Sequence, residues 1–244
     1  MKLKVQSIIN RLKSYVCEAV KRIEITNKLD YDKDSIYLHD NIRLGACKKE
    51  QETVKWIEGF GKNDIFFDIG ANIGAYSLIA SNYVKKVYAF EPSVFTYNVL
   101  TKNIYTNKRA NITSFNIALS DSKKVGEFIY SSVVAGSSCH SFDKKLKEES
   151  LRQEMLSYSI DELIKDFDIP SPNHIKIDVD GAEFKILEGA VKTISESNFK
   201  SLLVEADEDS KQLFDFLDSL GLEKKQRHYI SCDNIYNYLF MRRG

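Results

Sequence analysis

Short apolar runs ending in polar tips set the rhythm of this chain. Ile65-Phe66-Phe67 is too brief for a helix and rich in strand formers, which predicts a buried strand. Asp68 ends that run, a turn holding Gly70 and Gly74 follows, and Ala75 to Ala80 continues as a helix. Val87 to Phe90 is a second apolar run, closed by Glu91 and stopped by Pro92. Further strands are predicted over Ile112–Ile117, Ile175–Val179 and Ser201–Val204. Between them lie helical patterns: Ser93 to about Asn103, with Val94, Tyr97 and Leu100 inward; a capping box at Ser159 and Glu162; an apolar face from Phe184 to Ile194; and Ser210 to Leu220. Gly221–Ile230 and Ile235–Met241 close the chain as an antiparallel hairpin at the sheet edge. Strands alternating with helices predict a doubly wound α/β sheet.

Other segments decorate this frame. Residues 1–22 carry apolar positions near helical spacing and a basic opposite face of about +5. That pattern fits a helix packed on the domain or on a second subunit, as in a homodimer, one lying on a membrane surface, or a disordered start. No apolar stretch there is long enough for a signal peptide or a membrane span. Ile36–Leu38 and Ile42–Leu44 predict a small hairpin, and Lys48–Phe60 a helix carrying Trp56. Lys124–Tyr130 reads as a hairpin arm, Ser131–Ser141 as a small-residue loop able to fold over a crevice, and Asp143–Glu154 as a solvated helix face or lid. No internal repeat or low-complexity linker appears. The division expected is an extension over residues 1–48 and one domain over 49–244.

Composition narrows the class. The 244 residues suit one well-buried α/β domain with additions. Basic and acidic residues balance at 35 each, so no net field recruits nucleic acid. Four scattered cysteines (Cys17, Cys47, Cys139, Cys232) read as reduced thiols of a cytoplasmic protein.

The Asp68–Pro92 stretch carries the chemistry. Glycine lets the backbone approach a ligand closely, and a helix starting there favours an anionic group. Glu91 lies 23 residues beyond Asp68, the spacing at which a carboxylate takes both hydroxyls of an unphosphorylated ribose. The glycines are spaced Gly-x-x-x-Gly, unlike the G-x-G-x-x-G that admits a dinucleotide pyrophosphate. This steers the reading away from a nicotinamide oxidoreductase and toward S-adenosylmethionine, with its carboxylate at the helix start, its ammonium on Asp68 or a turn carbonyl, and its ribose on Glu91. Candidate donor-site residues are Asp68, Gly70, Ala71, Asn72, Gly74, Glu91 and Pro92. Asn116 and Ala118, at the third strand's tip, are placed to face an adenine, and Ser137 can contribute from the loop.

Acceptor chemistry points to the acidic strand tips. A hydroxyl must lose its proton during methyl transfer, so a carboxylate or histidine is expected beside it. Asp178 is the first candidate, since it ends the fourth strand beside the donor; Asp180, Glu205 and His140 follow. Asp178, Asp180 and Glu205 also offer the oxygen ligands of Mg²⁺ or Ca²⁺. Acids adjacent in sequence more often diverge, so no metal is expected. A non-catalytic module that keeps the pocket as a scaffold would share these motifs.

The motif string, taken in order, resembles one family. Asp68-Ile-Gly-Ala-Asn-Ile-Gly74, Phe90-Glu-Pro92, Asn116-Ile-Ala-Leu-Ser-Asp121, Gly136-Ser-Ser138 and Lys176-Ile-Asp-Val-Asp-Gly-Ala-Glu183 resemble the FkbM S-adenosylmethionine-dependent methyltransferases over roughly residues 50–206. The resemblance implies a class I, Rossmann-like sheet of seven mostly parallel strands, helices on both faces and the last strand antiparallel. It also implies O-methyl transfer to a hydroxyl of a sugar, glycan or related natural product, as in polysaccharide biosynthesis. One departure stands out: the family usually has Val-Glu-Gly where this chain has Val179-Asp180-Gly181, which draws the charge back by about one methylene.

Overall fold

The computed structural model describes residues 26–39, 42–137, 140–142, 150–231 and 234–243. The basic segment at 1–22, Ser138, Cys139 and residues 143–149 of the charged tract lie outside the described residues. The first strand, β1 (Asn27–Lys28), pairs antiparallel with β2 (Tyr37–Leu38). The hairpin expected between Ile36–Leu38 and Ile42–Leu44 is therefore replaced by an earlier partner. The helix expected over Lys48–Phe60 is two helices, α1 (Ala46–Lys49) and α2 (Gln51–Glu58). Glu50 interrupts them at φ −127° and ψ 57°, outside the helical region.

The nucleotide-binding half follows. It comprises β3 (Ile65–Ile69), α3 (Ala75–Ala80), β4 (Lys86–Phe90), α4 (Val94–Thr106) and β5 (Ile112–Phe115). Strand β3 runs on through Asp68 rather than ending there. Ser93 caps α4 by accepting from the Thr96 N–H. The inner face of α4 is Thr96, Leu100 and Asn103, while Val94 is exposed.

Beyond β5 the chain makes β6 (Ala118–Leu119), β7 (Lys124–Ile129), β8 (Ser141–Phe142) and β9 (Arg152–Tyr158), a small sheet ordered β6-β9-β7-β8. The end of the charged tract is thus strand, not helix. In β9 the buried residues Met155 and Ser157 alternate with the exposed Glu154 and Leu156. Then come α5 (Ile160–Phe167), opened by the expected Ser159–Glu162 capping box, and β10 (His174–Ile177). Two short helices, α6 (Glu183–Glu188) and α7 (Val191–Ser195), precede β11 (Ser201–Asp207), α8 (Lys211–Ser219), β12 (Leu222–Ser231) and β13 (Ile235–Arg242).

The main sheet has seven strands in the order β12-β13-β11-β10-β3-β4-β5. The pairs from β11 to β5 are parallel, and β13 runs antiparallel to both its neighbours. Its two faces bury separate apolar clusters. Phe67, Ile69, Ile175 and Ile177 pack with the helices after β9, while Phe66, Val87 and Ala89 pack with α2 and α3. Leu29, Tyr31, Ile36 and Leu38, from the segment before the motif region, join the second cluster. Among the described residues no helix is long and apolar enough to cross a membrane.

Alternation along β10 sends Lys176 and His174 to the α2–α3 face. The His174 imidazole lies between Asp64 Oδ2 (3.0 Å) and Ser201 Oγ (2.7 Å), stacked on Phe60 at 3.8 Å. A serine, histidine and aspartate in line suggest a hydrolytic triad, but all three are buried and Trp56 Nε1 donates to the same Ser201 hydroxyl. The group is structural. Burial lowers the His174 pKa to about 4 against the opposing pull of Asp64. The folded state thus favours neutral imidazole, and the unfolded chain takes up the extra proton below pH 6.5. Stability should be full above pH 6.5 and fall as pH drops toward 4, by up to about 3 kcal/mol. Urea unfolding of His174→Gln against the parent at pH 7.5 and 4.5 checks this; an equal pH dependence in both would refute it.

Candidate active site

The carboxyl ends of β3, β4 and β10 meet around one cavity of about 370 Å³. At the tip of β3 the chain turns sharply. The Gly70 and Ala71 N–H groups both donate to Phe90 O at 3.0 Å, which ties the turn across the end of β4. Gly70 has φ +75°, and a Cβ there would lie 1.9 Å from the Asp178 carbonyl oxygen, so the tips of β3 and β10 touch backbone to backbone. The Asn72 N–H donates to Glu91 Oε2 (2.9 Å), and its own Oδ1 accepts from the Ile73 N–H (2.9 Å). The Gly74 N–H returns to Ala71 O at 2.9 Å.

Every backbone N–H from Gly70 to Gly74 is thus already engaged, and α3 is only six residues long. Positive charge also comes from Arg43 and Lys49, which line the cavity from the segment around α1. Nothing in the sequence pattern singled these two out.

Glu91 lines the cavity although it is only 5% exposed. Its Oε1 accepts from the Ser93 N–H at 2.9 Å, so each oxygen receives one backbone donor and keeps a lone pair. Burial pushes its pKa up to about 7 against those two donors, with Asp68 and Asp180 adding to the rise. Pro92 and Ala118 line the same wall with Ile117 and Leu119. Asn116 does not. Its amide donates to the carbonyls of Glu91 and Pro92, both at 2.8 Å, and so holds the β4 tip in shape from behind.

Two further candidates lie outside the lining. Gly74 faces α4, where a Cβ would come within 2.5 Å of Leu100 Cδ1. Asp68 is 1% exposed beneath the floor, where Ser77 Oγ donates to its Oδ2 at 2.5 Å. Its Oδ1 has no hydrogen-bond partner among the described residues. Burial raises this carboxyl while Lys176 and Ser77 resist.

Lys176 explains why a carboxylate is tolerated there. It pairs with Asp68 in the parallel register of β10 and β3, so both side chains share one face. It is itself 1% exposed. Its ammonium donates to Asp178 Oδ2 at 2.6 Å and sits 5.1 Å from the centre of the Tyr76 ring. Burial opposes its charge, but Asp178, Asp68 and Glu50 outweigh burial and hold the ammonium above its usual pKa. Burial likewise works to raise Asp178, and Lys176, assisted by Arg43 and Lys49, more than offsets it. Asp178 is therefore held ionised at the cavity wall. A lysine amid the apolar Ile175 and Ile177 was the available signal for this pair.

Asp180, His140 and Ser137 also line the cavity. The His140 N–H donates to Asp180 Oδ2 at 3.2 Å, and Asn72 Nδ2 donates to the Gly136 and Ser137 carbonyls at 3.4 and 3.3 Å. These contacts hold the described residues of the loop after β7 at the cavity wall. Glu205 is not part of this cavity. It lines a neighbouring groove of about 430 Å³ that shares Val179 and Asp180 with it. Burial, reinforced by the charge on Asp178, pushes Glu205 up to about 8. Among the described residues no group of three or more His, Cys, Asp or Glu is arranged to hold a metal ion.

Comparisons with known proteins bear on the family and the fold. The family model described as the Methyltransferase FkbM domain matches residues 68–229. The hexuronic acid methyltransferase AglP of Haloferax volcanii is 29% identical over 182 residues, spanning 74% of this chain and 72% of that protein. The crystal structure of an FkbM methyltransferase from Methylobacillus flagellatus KT superimposes with a TM-score of 0.53 at 19% identity, covering 75% of this chain and 44% of that one. A Streptococcus pneumoniae methyltransferase solved with S-adenosyl-L-methionine gives a TM-score of 0.50 at 13% identity, covering 81% and 72% of the two chains. These two structural likenesses show a common fold.

Proposed function

The chain belongs to the FkbM methyltransferase family, and from that premise we propose that it moves a methyl group from S-adenosyl-L-methionine to a hydroxyl of a sugar or glycan. One observation carries the reading: Glu91 and the ionised Asp178 flank the Gly70–Ile73 turn within a single cavity. The relative named as a hexuronic acid methyltransferase supports a sugar acceptor.

The residues present fit the donor. Glu91 keeps a lone pair on each oxygen for the two ribose hydroxyls, and Ile117, Ala118 and Leu119 offer an apolar wall to adenine. Arg43 and Lys49 can meet the α-carboxylate, a role the occupied turn N–H groups leave open. When bound, the donor supplies an electrophilic methyl on a sulfonium.

The protein has three tasks. It aligns acceptor oxygen and methyl group, excludes water, and receives the hydroxyl proton. Asp178 is the proton acceptor of this scheme, kept charged by Lys176 at its back, with Asp180 beside the acceptor. Glu205, protonated near neutrality, lines the groove by which an acceptor would approach.

Calorimetry with S-adenosyl-L-methionine, its demethylated product and NAD tests the donor. Methyl transfer to uronic-acid oligosaccharides, followed by mass spectrometry, tests the acceptor. Binding of NAD instead of the sulfonium would defeat the proposal, and donor binding without methylation of any sugar would leave only a cofactor-binding scaffold.

A further inference from the structure

His140 is the titratable group over the cavity whose ring state the hydrogen bonds determine. Its Nδ1 accepts from the backbone N–H of Ser131 at 3.2 Å, with Ser131 Oγ at 3.1 Å. A backbone N–H can only donate, so Nδ1 carries no proton. The proton of the neutral ring is then on Nε2, and Nε2 is buried with no hydrogen-bond partner among the described residues. Phe128 and Tyr130 hold the ring in place, with centroids at 5.6 and 5.7 Å. Asp180 anchors the His140 backbone, so the imidazole is fixed at both its ring and its main chain.

We propose that His140 is a hydrogen-bond donor to the acceptor, presenting Nε2–H to a lone pair on an acceptor oxygen, and is not a base. This rests on reading the cavity as a methyl-transfer crevice. Three observations support it. An Nε2 that carries a proton cannot take another from a hydroxyl. Protonating Nδ1 would set two donors against each other at Ser131. A buried N–H left without an acceptor is costly, and a substrate oxygen would relieve that cost. Burial also lowers the His140 pKa, which favours the neutral ring. The division of labour is then clear: Asp178 takes the hydroxyl proton, and His140 orients the oxygen that loses it.

Two measurements on the full chain test the proposal. The first is the imidazole ¹H–¹⁵N spectrum of histidine-labelled protein at pH 7, with the His140 signals identified by their loss in His140→Gln. A neutral ring protonated on Nε2 is expected. A ring protonated on Nδ1, or an imidazolium, would overturn the idea whether or not any sugar is methylated.

The second compares substitutions with a uronic-acid oligosaccharide as the probe. Glutamine places an amide N–H where Nε2 lies, whereas asparagine places one nearer Nδ1. His140→Gln should keep KM for the acceptor within about threefold, and His140→Asn and His140→Ala should raise it roughly tenfold, as expected for one lost hydrogen bond. Equal effects of Gln and Asn on KM, or a fall confined to kcat in all three, would overturn the donor role.

Discussion

Asp178→Asn is expected to lose turnover by roughly two to four orders of magnitude while S-adenosyl-L-methionine binding changes only a few-fold. The amide preserves shape, and its oxygen can still accept from the Lys176 ammonium, which donates to Asp178 Oδ2 at 2.6 Å in the parent. What disappears is a proton acceptor at the cavity wall. Donor affinity is expected to survive because Glu91, the carboxylate proposed to hold the ribose, stands on the other side of β3 and keeps its contacts to Asn72 and Ser93. Stopped assays for the demethylated product and calorimetry for the donor read the two effects separately. Full activity in the asparagine variant would remove Asp178 from the mechanism; a collapse of donor binding would make it a cofactor residue instead. Lys176 and its neighbours hold the Asp178 carboxyl below the usual carboxylate range. Its titration should therefore leave no limb in the activity profile between pH 6 and 8.

The frame of the site was legible because it depends on local patterns. A short apolar run followed by glycines and a helix is a local signal, and β3, α3 and β4 stand where the sequence placed them to within two residues. The capping box at Ser159 is likewise a matter of four adjacent residues. Readings that needed tertiary context fared differently. Asn116 sits at a strand tip, as expected, yet its amide turns to the backbone of Glu91 and Pro92. Strand tips point at a crevice, but one residue's rotation decides whether a side chain enters it.

Glu205 shows the same limit at the sheet edge. Strand β11 runs three residues beyond the expected Val204, carrying its carboxylate into the adjoining groove. Arg43, Lys49 and Glu50 were invisible for another reason: the fold brings the α1 segment to the crevice from outside the motif region, and no spacing encodes that return. The short strand β9 was hidden by its charge, since only one face of it is buried.

Lys176→Met is expected to cost about 3–5 kcal/mol of stability, because breaking a buried ion pair from one side strands its partner's charge. Methionine fills most of the volume, so the cost is electrostatic. Two carboxylates depend on this ammonium. Asp178 is part-exposed and can recover water, but Asp68 is 1% exposed and already has one oxygen without a hydrogen bond among the described residues. Without the lysine, Asp68 is expected to stay protonated in the fold rather than remain an isolated buried anion. The sign of the pH dependence follows. A carboxyl whose folded pKa exceeds its unfolded value binds more protons in the native state, so its stability contribution is present at low pH and lost as pH rises through the folded pKa. Lys176→Met should therefore lose more stability between pH 5 and 8 than the parent, measured by urea unfolding at each pH. The double variant Lys176→Met, Asp68→Asn should recover much of the loss, since a neutral amide removes the stranded charge. Activity gives an independent reading: freed of the lysine, the Asp178 carboxyl rises, and an acid limb should appear at higher pH than in the parent. A single variant as stable as the parent at pH 8, or no recovery in the double variant, would show that Lys176 does not neutralise Asp68.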